Sequence, residues 1–246
     1  MSEWFENEAF WKELYQFLFP ERAFQSAFEQ VDNLLKLLNR EVKDVLDLAC
    51  GPGRHSLVLA SKGMNVTAVD RSSYLLENAR RRAEESGVSV EWVQKDMRHF
   101  RRSGSFDLAI NMFTSFGYFE DKSEDVEVLK NILSSLKKGG FCVIDVCGKE
   151  WLAKNFQSTL SHENHDGSIL IERHDIYDDW TRISNEWILL KGNEAKRFRF
   201  CHTIYSGQEL KDRMLIAGFS DVKLYGGLDG CPYDRNANRL VAVAVK

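Results

Sequence analysis

Short apolar runs alternate with helical patterns through the first 150 residues of the chain. The runs that predict buried strands lie at 45–48, 64–69, 88–94, 105–111 and 141–147. Between them, 71–86 and 121–137 repeat apolar residues every three or four positions, which predicts amphipathic helices. Continuous apolar strands joined by helices are typical of a parallel sheet that is covered by helices on both faces.

The pattern changes after about residue 155, where apolar and polar residues begin to alternate. This alternation predicts antiparallel strands, each with one solvated face, at 168–177, 181–190 and 196–205. A helical pattern returns at 206–217, and 222–225 and 240–245 supply a sixth and a seventh strand of the main sheet. The predicted fold is therefore α/β, with a seven-stranded mostly parallel sheet and an inserted small antiparallel sheet.

Two helices are predicted before the first strand. Residues 4–19 are rich in aromatic side chains, Pro20 ends that segment, and 21–38 repeats apolar residues at helical spacing. We interpret 1–40 as a helical lid, 41–152 with 206–246 as the main domain, and 153–205 as an inserted flap. Packing of the aromatic residues as ordinary core is the simpler alternative for the first segment.

The richest chemical signal is the turn between the first strand and the following helix. Gly51 and Gly53 leave the backbone open to a ligand there, and a helix N-terminus follows. Asp70 ends the next strand, about 20 residues later, where nucleotide-binding units place an acceptor for ribose hydroxyls. Asp47 lies inside the first strand and suits a cationic group such as the ammonium of an amino-acid tail. Ser56 stands where a dinucleotide fingerprint would have its third glycine.

The pattern Asp47-x-x-Cys50-Gly51-x-Gly53 with Asp70 resembles the first motif and the following acidic position of class I S-adenosylmethionine-dependent methyltransferases. The resemblance covers about 40–150, with Ala49 replacing a common glycine. It implies a Rossmann-like fold, S-adenosylmethionine as cofactor and S-adenosylhomocysteine as product. The cofactor-binding residues that it implies are Asp47, Ala49, Cys50, Gly51, Gly53, Asp70, Arg71, Asp96, Met97, Asn111 and Met112.

The segment after the fourth strand bears on the methyl acceptor. Methyltransferases of DNA and RNA amino groups carry two prolines and an aromatic residue after an Asn or Asp, whereas this chain has Asn111-Met112-Phe113-Thr114. The departure argues against a flipped nucleobase. The segment resembles small-molecule methyltransferases, including those that act on amino-sugar nitrogens, so the resemblance implies a small-molecule acceptor on N, O or C.

Candidates for the acceptor pocket come from three parts of the chain. They are Trp11 and Tyr15 in the lid, Phe113 and Tyr118 after the fourth strand, and Asp229 and Tyr233 in the loop at 226–239. An in-line methyl transfer needs a base only for a protonated or weakly nucleophilic acceptor. No catalytic residue is identified, although Tyr118 and His174 are candidates for proton removal.

Composition narrows the class of protein further. With 246 residues, 43% hydrophobic and a net charge of -4, the chain is predicted to be globular, without a nucleic-acid footprint, a secretion signal or a membrane span. Five widely spaced cysteines predict reduced thiols in the cytoplasm. His162 and His165 are interpreted as exposed loop residues, and no metal site is expected.

Three functions compete at this point. A small-molecule methyltransferase is favoured, a cofactor-binding regulator without catalysis is the alternative, and an NAD-dependent oxidoreductase is disfavoured by the incomplete fingerprint. A surface for homodimer formation is an additional role for the flap.

Overall fold

The computed structural model describes residues 3–246 and contains two separate sheets. The seven-stranded sheet has the order β10-β11-β5-β4-β1-β2-β3, in which β11 alone runs antiparallel to its neighbours. Its strands are β1 (Asp44–Leu48), β2 (Asn65–Asp70), β3 (Glu91–Gln94), β4 (Phe106–Asn111), β5 (Leu136–Val146), β10 (Asp221–Tyr225) and β11 (Leu240–Val245). The predicted seven-stranded, mostly parallel sheet is confirmed.

Successive side chains of these strands enter two different cores, as strand geometry requires. In β1, Val45 faces one core, whereas Leu46 and Leu48 face the other. Helices therefore cover both faces of the sheet, as predicted. The first core contains residues of α2 (Glu21–Leu38), α3 (Arg54–Ser61) and α4 (Ser73–Ser86), and the second contains residues of α5 (Lys122–Ser135) and α7 (Gly207–Ala217).

The second sheet is antiparallel and has four strands, which confirms the predicted insertion. Its strands are β6 (Thr159–Glu163), β7 (Ile169–Tyr177), β8 (Arg182–Lys191) and β9 (Glu194–Thr203). The first of them was missed, as was α6 (Lys149–Asn155), because both are short and mostly exposed. His162 consequently lies on an exposed strand and not in a loop.

The N-terminal helix packs against the four-stranded sheet. After a 3-10 turn at Trp4–Glu6, α1 (Glu8–Leu18) begins at Asn7, whose side-chain oxygen accepts a hydrogen bond from the backbone of Ala9. Phe10 and Leu14 of α1 share an apolar cluster with residues of β7, β8 and β9. The division into lid, main domain and flap stays a prediction.

Two sequence-based element boundaries were wrong. The predicted helix over 121–137 ends at Ser135, and β5 begins at Leu136. Lys137 does not cap the helix; its ammonium instead lies 2.7 Å from Asp44 and 2.8 Å from Asp107. In α3, where the helical pattern predicts an apolar side formed by Leu57, Val58 and Ala60, Leu57 is instead half-exposed and Leu59 is buried, because the polar residues at the start of the helix face inward.

Gly53 is required for packing behind the first turn. It has a φ of +79°, and a Cβ atom there would lie 2.6 Å from the Trp92 ring and 3.2 Å from Ala79. Gly63 has a similar φ of +85°, but a Cβ atom there would meet nothing within 4 Å. A substitution at Gly63 therefore reports backbone strain alone, whereas one at Gly53 reports strain and steric overlap together.

We therefore expect Gly63→Ala to lower the free energy of unfolding by about 1 kcal/mol, the cost of a left-handed alanine. Gly53→Ala should cost about 1–3 kcal/mol more, because Trp92 must move. Urea denaturation monitored by circular dichroism measures both. Equal losses in the two variants would contradict the proposed contact with Trp92.

Candidate active site

A cavity of about 490 Å³ opens where the carboxyl ends of β1, β2 and β4 meet the N-terminal segment and the four-stranded sheet. In open α/β sheets this edge is the usual place for a ligand. The turn after β1 forms its floor, and aromatic side chains form the opposite wall.

The turn after β1 is held by one carboxylate. Gly51 donates its backbone N–H to Asp70 Oδ2 at 2.7 Å, and Ser72 donates to Asp70 Oδ1 at 2.9 Å. Ala49 has a φ of +58° and Gly51 a φ of +57°, so the turn is left-handed at both positions. A left-handed alanine is strained, and such strain is concentrated at functional sites. Burial raises the pKa of Asp70 to about 6 despite its backbone hydrogen bonds.

Asp47 brings a second carboxylate to the same floor. It is 2% exposed and accepts a hydrogen bond from Ser56 Oγ at 2.5 Å. Burial raises the pKa of Asp47 to about 6, and the nearby charge of Asp70 acts in the same direction. Because two buried carboxylates repel each other here, a cationic ligand group would be stabilised at this position.

Ion pairs join the N-terminal segment to this floor. Arg71 pairs with Glu6 and with Asp96, the latter at 2.7 Å. Arg98 pairs with Glu3 at 2.5 Å and with Asp96 at 2.7 Å. Burial alone would raise the pKa of Asp96, but the hydrogen bonds from Arg98 outweigh it and hold that pKa below its usual value.

Glu8 makes a further link between α1 and the start of α4. Its carboxylate accepts hydrogen bonds from Ser72 Oγ at 3.0 Å and from the backbone N–H groups of Ser73 at 3.1 Å and Tyr74 at 3.3 Å. These donors lie at a helix N-terminus, where negative charge is favourable. Glu8 therefore helps to fix α1 above the cavity.

The loop after β4 is strained and tightly held. Phe113 and Thr114 have φ values of +56° and +61°. Asp145 accepts from the backbone N–H of Phe113 at 3.1 Å through its carboxylate and from that of Thr114 at 2.8 Å through its carbonyl. Arg239 donates to the same carboxylate at 2.7 Å. This network presents the 41% exposed Phe113 ring to the cavity.

Aromatic residues of separate elements form the wall opposite the turn. The Trp4 ring stacks on Phe200 of β9 at 4.7 Å between centroids and lies 5.0 Å from Tyr118. Trp187 of β8 lies 5.0 Å from Phe200. The indole N–H groups of Trp4 and Trp187 are buried without a hydrogen-bond partner within 3–246. The wall is therefore apolar, with unused donors.

Most of the predicted site residues line this cavity. From the cofactor set these are Asp47, Ala49, Cys50, Gly51, Asp70, Arg71, Asp96, Met97 and Met112, and from the acceptor set Trp11, Phe113 and Tyr118. Burial raises the pKa of Tyr118, so its hydroxyl stays protonated at neutral pH.

Two residues of the predicted cofactor set lie behind the cavity lining. Gly53 packs on Trp92, as described above. Asn111 is fully buried, and its amide donates to the backbone carbonyl of Leu48 at 3.0 Å. Both residues lie behind the lining, and their role in cofactor binding stays a prediction.

Four further candidates are not brought to the cavity. Tyr15 packs against Phe19 and Tyr74, because it projects from the other side of α1. Tyr233 donates to Glu150 at 2.6 Å. Asp229 lines a second cavity of about 300 Å³ on the far side of Phe113, and His174 lies on β7, 2.8 Å from Asn185 Oδ1.

Several lining residues escaped the sequence analysis. Arg54 and His55 begin α3, directly after the glycine turn, and this position in the sequence could have identified them as lining residues. Trp187 and Phe200 come from distant strands, so nothing local indicated them. Burial lowers the pKa of His55 to about 3, with the nearby charge of Arg54 acting in the same direction, so its ring stays neutral.

Within residues 3–246, no group of three or more His, Cys, Asp or Glu side chains has the arrangement of a metal site. None of the helices that the structure describes is both long and apolar enough to cross a membrane.

The sequence was compared with known families and proteins. Residues 45–140 match the family described as Methyltransferase domain. A protein of Geobacillus sp. (strain WCH70), itself assigned only provisionally as a methyltransferase, is 30% identical over 161 residues, which are 65% of this chain and 64% of that protein. YqeM of Bacillus subtilis (strain 168), with the same provisional assignment, is 26% identical over 82% of this chain and 83% of its own length.

Solved structures share the fold at lower identity. An S-adenosylmethionine-dependent methyltransferase from Clostridium acetobutylicum ATCC 824 has a TM-score of 0.75 at 19% identity and covers 92% of this chain and 94% of its own. CalS10, an amino pentose methyltransferase from Micromonospora echinaspora solved with S-adenosylmethionine bound, has a TM-score of 0.70 at 19% identity, with coverage of 94% and 96%. The predicted resemblance and the Rossmann-like fold are confirmed.

We expect Glu8→Gln to loosen the N-terminal helix, because the charge at the α4 terminus is lost. A loss of about 1 kcal/mol corresponds to roughly fivefold faster amide exchange in α1, which hydrogen exchange with mass spectrometry measures. Glu13→Gln is the matched control, since Glu13 pairs with the half-exposed Lys196 and such surface pairs contribute little. Equal acceleration in both variants would contradict a special role for Glu8.

Because the pKa of Asp47 is raised in the folded protein, we expect its contribution to stability to depend on pH. The pKa of Asp47 is about 6 in the folded protein and about 4 in the unfolded chain. Between about pH 4 and 6 the folded protein therefore holds a proton on Asp47 that the unfolded chain has lost. Stability due to Asp47 therefore falls as pH rises from about 4 to 6. At pH 7 the free energy of unfolding of Asp47→Asn should exceed that of the parent protein by about 1–3 kcal/mol, and the gain should vanish near pH 4.

Asp107→Asn is the contrasting control, because hydrogen bonds from Lys137 and the backbone lower the pKa of Asp107 despite its partial burial. That variant should lose stability at pH 7. Thermal melts across the pH range test both signs, and a pH-independent effect of Asp47→Asn would contradict the burial argument.

Proposed function

We propose that this chain, whose residues 45–140 match the Methyltransferase domain family, is an S-adenosylmethionine-dependent methyltransferase of a small-molecule acceptor. The observation that carries the proposal is Asp70. Its carboxylate ends β2, lines the cavity and touches the open turn through Gly51. Each oxygen accepts one backbone N–H and keeps an acceptor position for a sugar hydroxyl.

The residues of the floor suit the cofactor group by group. Asp70 would accept hydrogen bonds from the ribose hydroxyls, Asp47 would face the ammonium, and Met97 and Met112 would contact the adenosyl group. Asp96 is held by Arg71 and Arg98, so it would support the adenine end mainly by ordering that edge of the cavity. When bound, S-adenosylmethionine supplies a methyl group activated by a sulfonium centre.

The aromatic wall would hold the acceptor. Trp11, Phe113 and Tyr118 line the part of the cavity that the N-terminal segment and β9 enclose. Enclosure excludes water, and positioning of a nucleophile near the methyl carbon can supply most of the rate. Because Tyr118 stays protonated, its hydroxyl would orient the acceptor and would not remove its proton. The proposed acceptor therefore arrives as a neutral nucleophile, such as an unprotonated amine.

The oxidoreductase alternative is opposed by Ser56. In the dinucleotide fingerprint the third glycine lets the helix pack closely on the strand, whereas this position holds a fully buried serine whose hydroxyl donates to Asp47 at 2.5 Å. The regulatory alternative predicts binding without turnover. A cytoplasmic location and a homodimer stay predictions.

Asp70→Asn tests the site. Loss of a charged acceptor for two hydroxyls should weaken binding of S-adenosylhomocysteine by about 1.5–3 kcal/mol, roughly 10- to 150-fold, in calorimetric titration. Asp107→Asn is the matched control, because Asp107 also accepts two backbone N–H groups, at 2.9 and 3.1 Å, but does not line the cavity. Unchanged affinity in Asp70→Asn would contradict the ribose assignment.

Turnover is tested separately, by mass-spectrometric screening of amines, alcohols and carboxylic acids with S-adenosylmethionine. A methylated product supports the enzyme. Binding of the cofactor with no product from any acceptor class would favour the regulatory alternative, and binding of NAD instead would favour the oxidoreductase.

A further inference from the structure

A second cavity, of about 300 Å³, lies beside the main cavity that Asp70 lines. Side chains of α2 form one side of it, and the loop at 226–239 forms the other. The Phe113 ring lines both cavities, and it is 41% exposed. His55 of the main cavity lies 2.9 Å from Gln30 of the second, measured from Nε2 to Oε1. The two cavities are therefore neighbours that only side chains separate.

Polar side chains form most of the lining of the second cavity, unlike the aromatic wall of the main one. The side chains of Asn33 and Asn238 make no hydrogen bond to any residue in 3–246. Those of Glu29 and Asp229 have no ion pair within the same range, although Asp229 accepts a hydrogen bond from the backbone of Cys231 at 3.2 Å. Amide and carboxylate groups from two elements thus face one space with hydrogen-bond capacity left over.

Arg239 adds a donor whose position is fixed. Its Nε donates to Asp145 Oδ1 at 2.7 Å, and its Nη2 donates to Thr114 Oγ1 at 3.1 Å. Its remaining terminal nitrogen, Nη1, donates to no residue in 3–246, and Arg239 lines the second cavity. The 2% exposed Asp145 also accepts the backbone N–H of Phe113 at 3.1 Å. The network that sets the Phe113 ring therefore leaves a guanidinium donor beside it.

This lining suits hydroxyl groups better than it suits charges. A hydroxyl both donates and accepts, so it uses carboxylate acceptors and amide or guanidinium donors together. A phosphate would be repelled by Glu29 and Asp229, and a cation would leave the amides and Arg239 without a partner. The Phe113 ring offers apolar contact to the carbon skeleton of the same ligand. A few polar groups that converge on a concave site with an aromatic ring are typical of small-molecule recognition.

We propose that the second cavity binds an uncharged, polyhydroxylated group, and that this group belongs to the methyl acceptor whose reacting atom lies in the main cavity. The proposal rests on the proposed function, because it places the acceptor beside the adenosyl cofactor. The aromatic wall contacts the part of the acceptor near the reacting atom, and Asn33, Asn238 and Arg239 hold its hydroxyls across Phe113. The other source of the same chemistry is a separate polyol that binds without reacting.

Glucamine and hexylamine test the proposal. Both are primary amines on chains of equal length, but glucamine carries hydroxyls along its chain. In NMR titrations of the protein saturated with S-adenosylhomocysteine, Asn33→Leu and Asn238→Leu should each weaken glucamine about 2- to 10-fold relative to hexylamine, the value of a neutral hydrogen bond. The two variants lie on separate elements, so either one carries the test should the other not fold.

Asn236→Leu is the matched control. Asn236 is an exposed residue of the same loop as Asn238, but it does not line the second cavity. The ratio of the two amine affinities in this variant should equal that of the parent protein.

Several outcomes would overturn the proposal. An unchanged ratio in both cavity variants would exclude the hydrogen bonds, and an equal change in Asn236→Leu would mean that the loop as a whole had moved. Myo-inositol has hydroxyls but no amine, so its binding as tightly as glucamine would assign the cavity to a separate polyol. Tighter binding of spermidine than of glucamine, weakened by Glu29→Gln, would make it a cation site. Failure of the parent protein to bind S-adenosylhomocysteine would instead refute the proposed function.

Discussion

The candidate site depends on the hydrogen bond from the Gly51 backbone to the Asp70 carboxylate. It joins the turn after β1 to the end of β2 at 2.7 Å, so two adjacent strands present their ligand-facing groups in one orientation. Burial opposes the negative charge and raises the pKa of Asp70 to about 6, and the backbone donors from Gly51 and Ser72 offset part of that cost. The same carboxylate thus orders an unusual left-handed turn and remains an acceptor for a ligand. The structural role of Asp70 and its proposed binding role therefore coincide in one side chain.

Charge is distributed in layers around this centre. Asp47 and Asp70 are buried with raised pKa values, and Arg54, which has no ion pair within residues 3–246, lines the same cavity. Farther out, glutamates of the N-terminal segment meet the arginines beside β2 and β3. The outer ion pairs hold the N-terminal segment in place. The inner groups still have hydrogen-bond positions that a ligand could occupy. This contrast separates scaffold from binding groups better than the positions of these residues in the sequence do.

The acceptor side is built differently. Phe113 is held in a strained left-handed conformation by Asp145, and the aromatic wall combines residues of the N-terminal segment, the loop after β4 and the second sheet. Rings from three separate elements meet there with almost no charge. In the proposed enzyme such a wall would select an acceptor by shape and apolar contact, and the buried Tyr118, which stays protonated, would not serve as the base.

The sequence by itself determined the fold class, the glycine turn and most of the floor of the cavity. Strand and helix periods follow local hydrophobic order, and Asp70 follows its strand directly, so short-range pattern was sufficient for them. The structure places several predicted residues away from the cavity and moves one helix boundary, and these differences have a common cause. Tyr15 and Tyr233 face other partners, Asn111 points behind the cavity, and the helix before β5 ends early because Lys137 finds Asp44 and Asp107 across the sheet. Only the tertiary structure decided these points, together with the approach of Trp187 and Phe200, because side-chain direction and long-range contact depend on how distant elements pack.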